Sequence, residues 1–211
     1  ISACLVGSEM CIRDRLEDHL VDLLLDVAVS GTNVVEREGL SIRHPARFIL
    51  VGSGNPEEGE LRPQLLDRFG LSVDVRTPTD MGDRIEIVKR CDRFDRDPAA
   101  FVAEFDDSEQ QTLDAIAKAR KLLPKVQVAD EMLGLGAKLC SAVGADGLRG
   151  ELTLLRAARA QAALGHKKEV KPHHVAEVAT MALRHRLRRN VLDDTGSTSR
   201  IARAIAELIP A

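Results

Sequence analysis

Residues 96–211 carry apolar residues at the three- and four-residue spacing of helices, and nothing in this half of the chain predicts a strand. Pro172 opens the clearest apolar stripe, and it ends at Leu183. The other stripes begin near Ser108, Asp130, Leu148 and Ser197. Only 2% of the 211 residues are aromatic, with no Trp or Tyr, so Leu, Val, Ile and Ala have to fill the core. The sequence therefore predicts an all-helical domain here.

Residues 16–95 mix helical and strand signals. An apolar stripe runs from Leu16 to Val27, and Gly31 is a natural end for that helix. Residues 33–46 predict a hairpin that turns at Glu38-Gly39. The whole chain is thus predicted to be an α/β part followed by an all-α part, divided near residue 95.

Two short apolar runs in this part predict strands. The first candidate strand is 48–52, in which residues 48–51 are continuously apolar and lead into a Gly-Ser-Gly-Asn loop, and residues 71–75 are the second candidate. Between them, Pro63 is expected to open a short helix that ends near Phe69. After them, Thr79 or Asp80 is expected to cap a helix reaching Arg93. Farther along, Ser108 and Gln111 have the spacing of a capping box.

Charge and composition exclude several classes of function. The 30 Lys and Arg residues nearly balance 33 Asp and Glu, which gives a net charge of −3. No overall basic field is available for nucleic acid, and no apolar run reaches the length of a membrane span. The four Cys residues lack CxxC spacing, so neither a disulfide framework nor a zinc site is expected. A reducing cytoplasm is the expected location.

Most motifs with possible chemistry have a structural explanation. The Gly-Lys-Ser/Thr of a phosphate loop is absent from the sequence. The Leu23–Asp26 run imitates a metal-binding acidic strand but lies within an amphipathic helical pattern. Adjacent His173 and His174 cannot both face one metal ion. The basic run at 184–203 is interpreted as a solvated helix end or a contact with an acidic neighbour.

Three polar residues remain, and their order along the chain matters more than any one of them. Asn55 follows the apolar run at 48–52, Arg68 follows the short predicted helix, and Arg149 lies in GLRGELTLLRAAR. Each of them lies in a long segment that is similar to a known protein family, and GSGNPEEGELRPQLLDRFG is the most specific of these segments. Through these segments, about residues 16–210 closely resemble the second half of an AAA+ ATPase module, and more narrowly the ATPase subunit family of magnesium chelatases.

The resemblance implies a role for each of these residues. Asn55 resembles sensor 1, which orients the attacking water near the γ-phosphate. Arg68, supported by Asp67, resembles the arginine finger that reaches the nucleotide of the next subunit. Arg149 resembles sensor 2 on the helical lid, where it contacts ATP phosphates. The hairpin at 33–46 resembles the insertion that precedes sensor 1 in this branch.

The resemblance also implies cofactors, partners and an activity. ATP and Mg²⁺ would be bound mainly by residues upstream of those present here. The partners would be further copies in an AAA+ ring, a D subunit and a porphyrin-binding H subunit, in the cytoplasm or plastid stroma. The expected activity couples ATP hydrolysis to insertion of Mg²⁺ into protoporphyrin IX. The alternatives are a cobaltochelatase-type or MoxR-like ATPase and a ring component that does not hydrolyse ATP.

Residues 1–15 depart from the family pattern, because GSEMCIRDR stands where the family has an acidic strand ending in Asp-Glu. We interpret these residues as foreign to the fold, through truncation or an assembly artefact. The strand that carries the phosphate loop would then be missing from between residues 48–52 and 71–75. We therefore expect a gap there, or an improvised strand from residues 3–6, rather than direct pairing of the two segments.

Overall fold

A computed structural model describes residues 18–37, 39–53, 66–145, 147–187 and 196–209. The chain divides into two compact units, Ile1–Gly70 and Leu71–Ala211. Asn55, residues 1–15 and the proposed strand at 3–6 lie outside the described residues. The predicted domain boundary near residue 95 stays a prediction.

The described part of the first unit consists of one helix and one hairpin. Helix α1 is Asp18–Ser30, and its Leu25 and Val27 are buried. Strands β1, Thr32–Arg37, and β2, Leu40–Pro45, pair antiparallel. Gly39 joins the strands with a φ of 81°, a conformation that a residue without Cβ adopts at little cost. The predicted helix and hairpin are therefore confirmed.

The prediction of a buried strand at residues 48–52 is wrong. The described residues that follow the hairpin have no regular secondary structure up to residue 53. Ile49 and Val51 are 91% and 87% exposed. A strand exists through hydrogen bonds to a neighbouring strand, and β1–β2 is the only sheet found in the described ranges. Apolar sequence alone therefore does not make this segment a strand.

Apart from two isolated β-bridges, the regular elements described in the second unit are helices. Asp80 caps the first of them with its carboxylate, which accepts the Asp83 amide at 3.0 Å. A 3₁₀ turn, Leu123–Lys125, interrupts the series. The helices are α2 Met81–Arg96, α3 Pro98–Ala103, α4 Asp106–Leu122, α5 Asp130–Val143, α6 Leu148–Leu164, α7 Pro172–Leu183 and α8 Ser197–Leu208.

Small side chains lie at the centre of this unit. Ala158 and Ala162 of α6, and Ala179 and Ala182 of α7, have no solvent exposure. Methyl groups allow two helix backbones to approach closely, and larger side chains then close the core around them. Those larger residues come from α5, α6, α7 and α8 and include Leu139, Leu154, Leu183 and Ile201.

Two local predictions in this unit are wrong. Residues 71–75 have no regular secondary structure, and Val73 and Val75 are 65% and 90% exposed. Ser108 does not form a capping box, because α4 already begins at Asp106 and the Ser108 hydroxyl donates to the Phe105 carbonyl at 2.9 Å. A hydroxyl inside the first turn finds a preceding carbonyl more readily than an N-terminal amide.

Arg200 fastens the end of α5 to the last helix. Its Nη2 donates to the Val143 carbonyl at 3.0 Å, beside Gly144, which ends α5 with a φ of 67°. A cation at a helix C-terminus interacts favourably with the helix dipole.

Among the helices of the described ranges, none combines the length and the apolar character that a membrane span needs.

Two glycines of α5 should respond oppositely to alanine. Gly134 is exposed within the helix, and an added Cβ would meet nothing within 4 Å, so Gly134→Ala should stabilise the unit by about 0.5–1 kcal/mol. Gly144→Ala should destabilise it by about 1–2 kcal/mol, because it forces a Cβ into the left-handed region. Urea unfolding of both variants measures this. Equal effects of the same sign would contradict the assigned backbone conformations.

Acidification should weaken the start of α7. His174 is buried, and its Nδ1 accepts the Lys171 amide at 2.9 Å. Burial, aided by the neighbouring charges of His173 and Lys167 and opposed by Glu177, lowers the pKa of His174 below its usual value. Its contribution to stability is therefore complete above the unfolded pKa of about 6.5 and is lost as pH falls below it.

The corresponding measurement is Tm between pH 8 and pH 5. The wild type should lose Tm below about pH 6.5, and His174→Gln should lose much of that dependence. His173→Gln is the matched control, since His173 is exposed, and it should keep most of the dependence because burial is the largest cause of the lowered pKa of His174. A His174→Gln variant with an unchanged pH profile would refute the assignment.

Candidate functional site

Arg68 lies in a tight turn at the end of the first unit. The Phe69 amide donates to the Leu66 carbonyl at 3.1 Å, which closes the turn around Asp67 and Arg68. Of the short helix predicted from Pro63 to Phe69, only Leu66–Phe69 falls within the described residues, where it forms this turn. The Arg68 side chain retains 31% of its exposure, so its guanidinium is held at the surface of this unit.

Two carboxylates of α1 face Arg68. Its Nη1 donates to Asp26 Oδ1, and also to the Asp22 carbonyl at 3.4 Å. The Asp22 carboxylate lies 3.8 Å from the same nitrogen. Sequence reasoning missed both partners. The available signal was their spacing, because residues four apart lie on the same face of a helix.

Arg149 lies in the first turn of α6, where its side chain is exposed. Gly147, with a φ of 70°, precedes this turn and provides no capping side chain. The next residue, Gly150, is buried, and a Cβ there would lie 3.5 Å from the Leu183 side chain. The start of α6 is therefore packed closely on α7, which fixes the backbone that carries Arg149.

The predicted site residues are distributed over both units. Asp67 and Arg68 belong to the first, and Arg149 belongs to the second. Exposed guanidinium groups fit the phosphates of a nucleotide, since their N–H donors match anionic oxygens. In the described ranges, no three His, Cys, Asp or Glu side chains converge as metal ligands. We therefore assign no residue here to Mg²⁺.

The basic run at 184–203 has structural contacts. Arg184 lies 3.3 Å from the Asp74 carboxylate, and the Arg186 side chain is buried. Hydrogen bonds from Arg76 and then Arg184 hold the pKa of Asp74 below its usual value. The Ser72 amide also donates to the Met181 carbonyl at 2.9 Å. These contacts attach residues 72–76 to the end of α7, beside a cleft of about 600 Å³.

The AAA lid domain family matches residues 135–206, which run from α5 to α8. A candidate ATPase from Cytophaga hutchinsonii shares the fold, with a TM-score of 0.66 over 92% of this chain and 62% of that one, at 18% identity. The fold is thus that of an AAA+ lid with part of its core. A chain in an assembly of two magnesium chelatase subunits is 56% identical over 94% of this chain and 58% of its own, with a TM-score of 0.32.

Curated relatives are similar in sequence over nearly the same part of the chain. The magnesium-chelatase 38 kDa subunit of Rhodobacter capsulatus is 60% identical over 195 residues, which are 92% of this chain and 56% of that protein. The subunit of the same name from Acidiphilium rubrum is 62% identical over 193 residues, again 92% and 56%. The chain therefore spans about half the length of the curated relatives that it matches.

Removing the Arg184 guanidinium should loosen residues 72–76 without unfolding α7. In Arg184→Ala, hydrogen exchange at the Ser72 amide should rise severalfold, because its segment loses one of its two described attachments to α7. The amides of Ala179 and Ala182, in the buried helix, should not change. Arg203→Ala, an exposed change in α8, is the control. An unchanged Ser72 amide in Arg184→Ala would show that the ion pair does not hold the segment.

Proposed function

We propose that the chain is part of an ATP-hydrolysing motor subunit of the magnesium-chelatase 38 kDa family, from the premise that 92% of its length aligns with such a subunit. The proposal rests chiefly on the 60% identity to a named chelatase subunit. The AAA lid match over residues 135–206 supports it. Such a degree of identity favours this subunit over a cobaltochelatase-type or MoxR-like ATPase.

In this proposal, Arg68 is the arginine finger. Phosphoryl transfer spreads negative charge over the γ-phosphate oxygens, and a correctly placed guanidinium stabilises that charge. The turn at Leu66–Phe69 presents Arg68 at a surface, as a residue acting on the nucleotide of a neighbouring subunit requires. Asp67 adjoins it in the same turn and supports its position.

Arg149 acts in the same proposal as sensor 2. Its place in the first turn of α6 adds a side-chain cation to the positive end of a helix dipole, an arrangement that favours phosphate. ATP supplies the phosphoryl group when bound. The tight packing of α6 on α7 makes the backbone that carries Arg149 move together with the helical lid, so that a change at the phosphate is transmitted to the whole lid. Asn55 is proposed as sensor 1 on the family resemblance.

The mechanical role implies partners. Because a finger acts on a neighbour's nucleotide, hydrolysis depends on a ring of several copies. The D subunit is proposed to join that ring, and the H subunit to bind the porphyrin. The reaction driven by the ring is insertion of Mg²⁺, as a substrate, into protoporphyrin IX.

Arg68→Ala in the full-length protein tests the finger directly. Assembly in the presence of ATP should persist, because the side chain lies at the surface of its own subunit. ATP turnover should fall by about 10³–10⁵-fold, the range typical of a lost finger. Arg90→Ala is the matched control, since Arg90 is an exposed arginine paired with Glu86 on α2, and it should leave turnover unchanged. Wild-type turnover in Arg68→Ala would refute the finger.

A further inference from the structure

The contacts of Arg68 within its own unit are concentrated on one nitrogen. Nη1 meets the Asp26 carboxylate, the Asp22 carbonyl at 3.4 Å and the Asp22 carboxylate at 3.8 Å. A guanidinium has five N–H donors in a rigid plane. In the described part of the chain, Nη2 and Nε have no hydrogen-bond partner. One terminal nitrogen of the group is therefore held by α1, and a guanidinium carries further N–H donors that suit a phosphate.

The partners of Arg68 lie on a helix whose own position is fixed. Leu25 and Val27 of α1 are 3% and 9% exposed, and they flank Asp26 in the sequence. Asp22 lies one helical turn before Asp26, and so both oxygens come from the same face of α1. The contact also joins residues 42 positions apart. Arg68 is thus located by a packed helix and not only by its own short turn.

This ion pair contributes little to the free energy of unfolding. The side chains of Arg68, Asp26 and Asp22 retain 31%, 67% and 50% of their exposure. Pairs exposed to this degree are largely screened by water and salt. What such a pair does achieve is to restrict the rotamers of a long side chain, since it limits where the guanidinium can go.

We propose that Asp26 is the positioning residue of the arginine finger: it holds Arg68 by Nη1, with the Asp22 carbonyl as a second support, so that Nη2 and Nε point away from α1 toward the phosphate of a neighbouring subunit. This inference rests on the proposed function of Arg68. It gives a role to the acidic residue that ends the Leu23–Asp26 run, which lies on a helix and not on a metal-binding strand.

The first test measures the hold on Arg68 without any nucleotide. Phenylglyoxal modifies accessible guanidinium groups, and peptide mass spectrometry locates the modified residues. Asp26→Ala should raise the rate at Arg68 severalfold in the full-length protein. Asp92→Ala is the matched control, because it breaks an exposed Arg–Asp pair of 2.9 Å with Arg96. It should leave the rate at Arg68 unchanged.

The second test measures ATP turnover by the assembled full-length protein. Asp26→Ala should lower kcat by about tenfold with little change in KM for ATP, because misplacing a group that acts in the transition state affects the chemical step. Asp26→Asn should stay within about twofold of wild type, since its amide oxygen accepts the same hydrogen bond. Adding Asp26→Ala to Arg68→Ala should cause no further loss, because the two residues act as one unit.

The outcomes separate this inference from the proposed function. If Arg68→Ala abolishes turnover while Asp26→Ala leaves both kcat and the reactivity of Arg68 unchanged, the positioning role is overturned and the finger stands. A tenfold loss from Asp26→Ala that persists in the Arg68→Ala background would show a structural role for Asp26 and overturn the inference. If Arg68→Ala keeps wild-type turnover, both the finger and its positioning residue are refuted.

Discussion

The described helical unit depends on the close approach of α6 and α7. Four alanines with no solvent exposure, Ala158, Ala162, Ala179 and Ala182, allow it. A larger residue at any of them would push two backbones apart in a core that is packed at crystal-like density. The same approach places the buried Gly150 against the Leu183 side chain. The backbone beside Arg149 is therefore fixed by apolar packing, without any ionic contact having to do so.

Three long-range contacts of arginine side chains serve a different purpose. Arg200 closes a helix end, Arg184 attaches an irregular segment, and Asp26 meets a surface arginine. Each joins parts of the chain that lie far apart in sequence, and the pairs of Arg184 and Arg68 retain substantial exposure. Such pairs add little to stability. Their effect is to limit where loops and long side chains can be, which is the property that a catalytic arginine needs.

Sequence periodicity predicted the helices better than it predicted the strands. The stripes that begin near Asp130, Leu148 and Pro172 became α5, α6 and α7, because a helix makes its backbone hydrogen bonds internally. The apolar run at 48–52 and the run at 71–75 did not become strands, because a strand needs a partner that the local sequence cannot supply. The hairpin at 33–46 did form, since both of its strands and its glycine turn lie within one short segment.

The sequence by itself determined the helical register of residues 106–208, the hairpin, and the residue types of the candidate site. Propensity, periodicity and capping are local properties, as the Asp80 cap of α2 illustrates. Only the tertiary structure decided which carboxylates meet Arg68, which arginine meets Asp74, and which apolar residues stay exposed. Those contacts join residues separated by 42 positions or more, and packing, not local sequence, determines which distant residues come together.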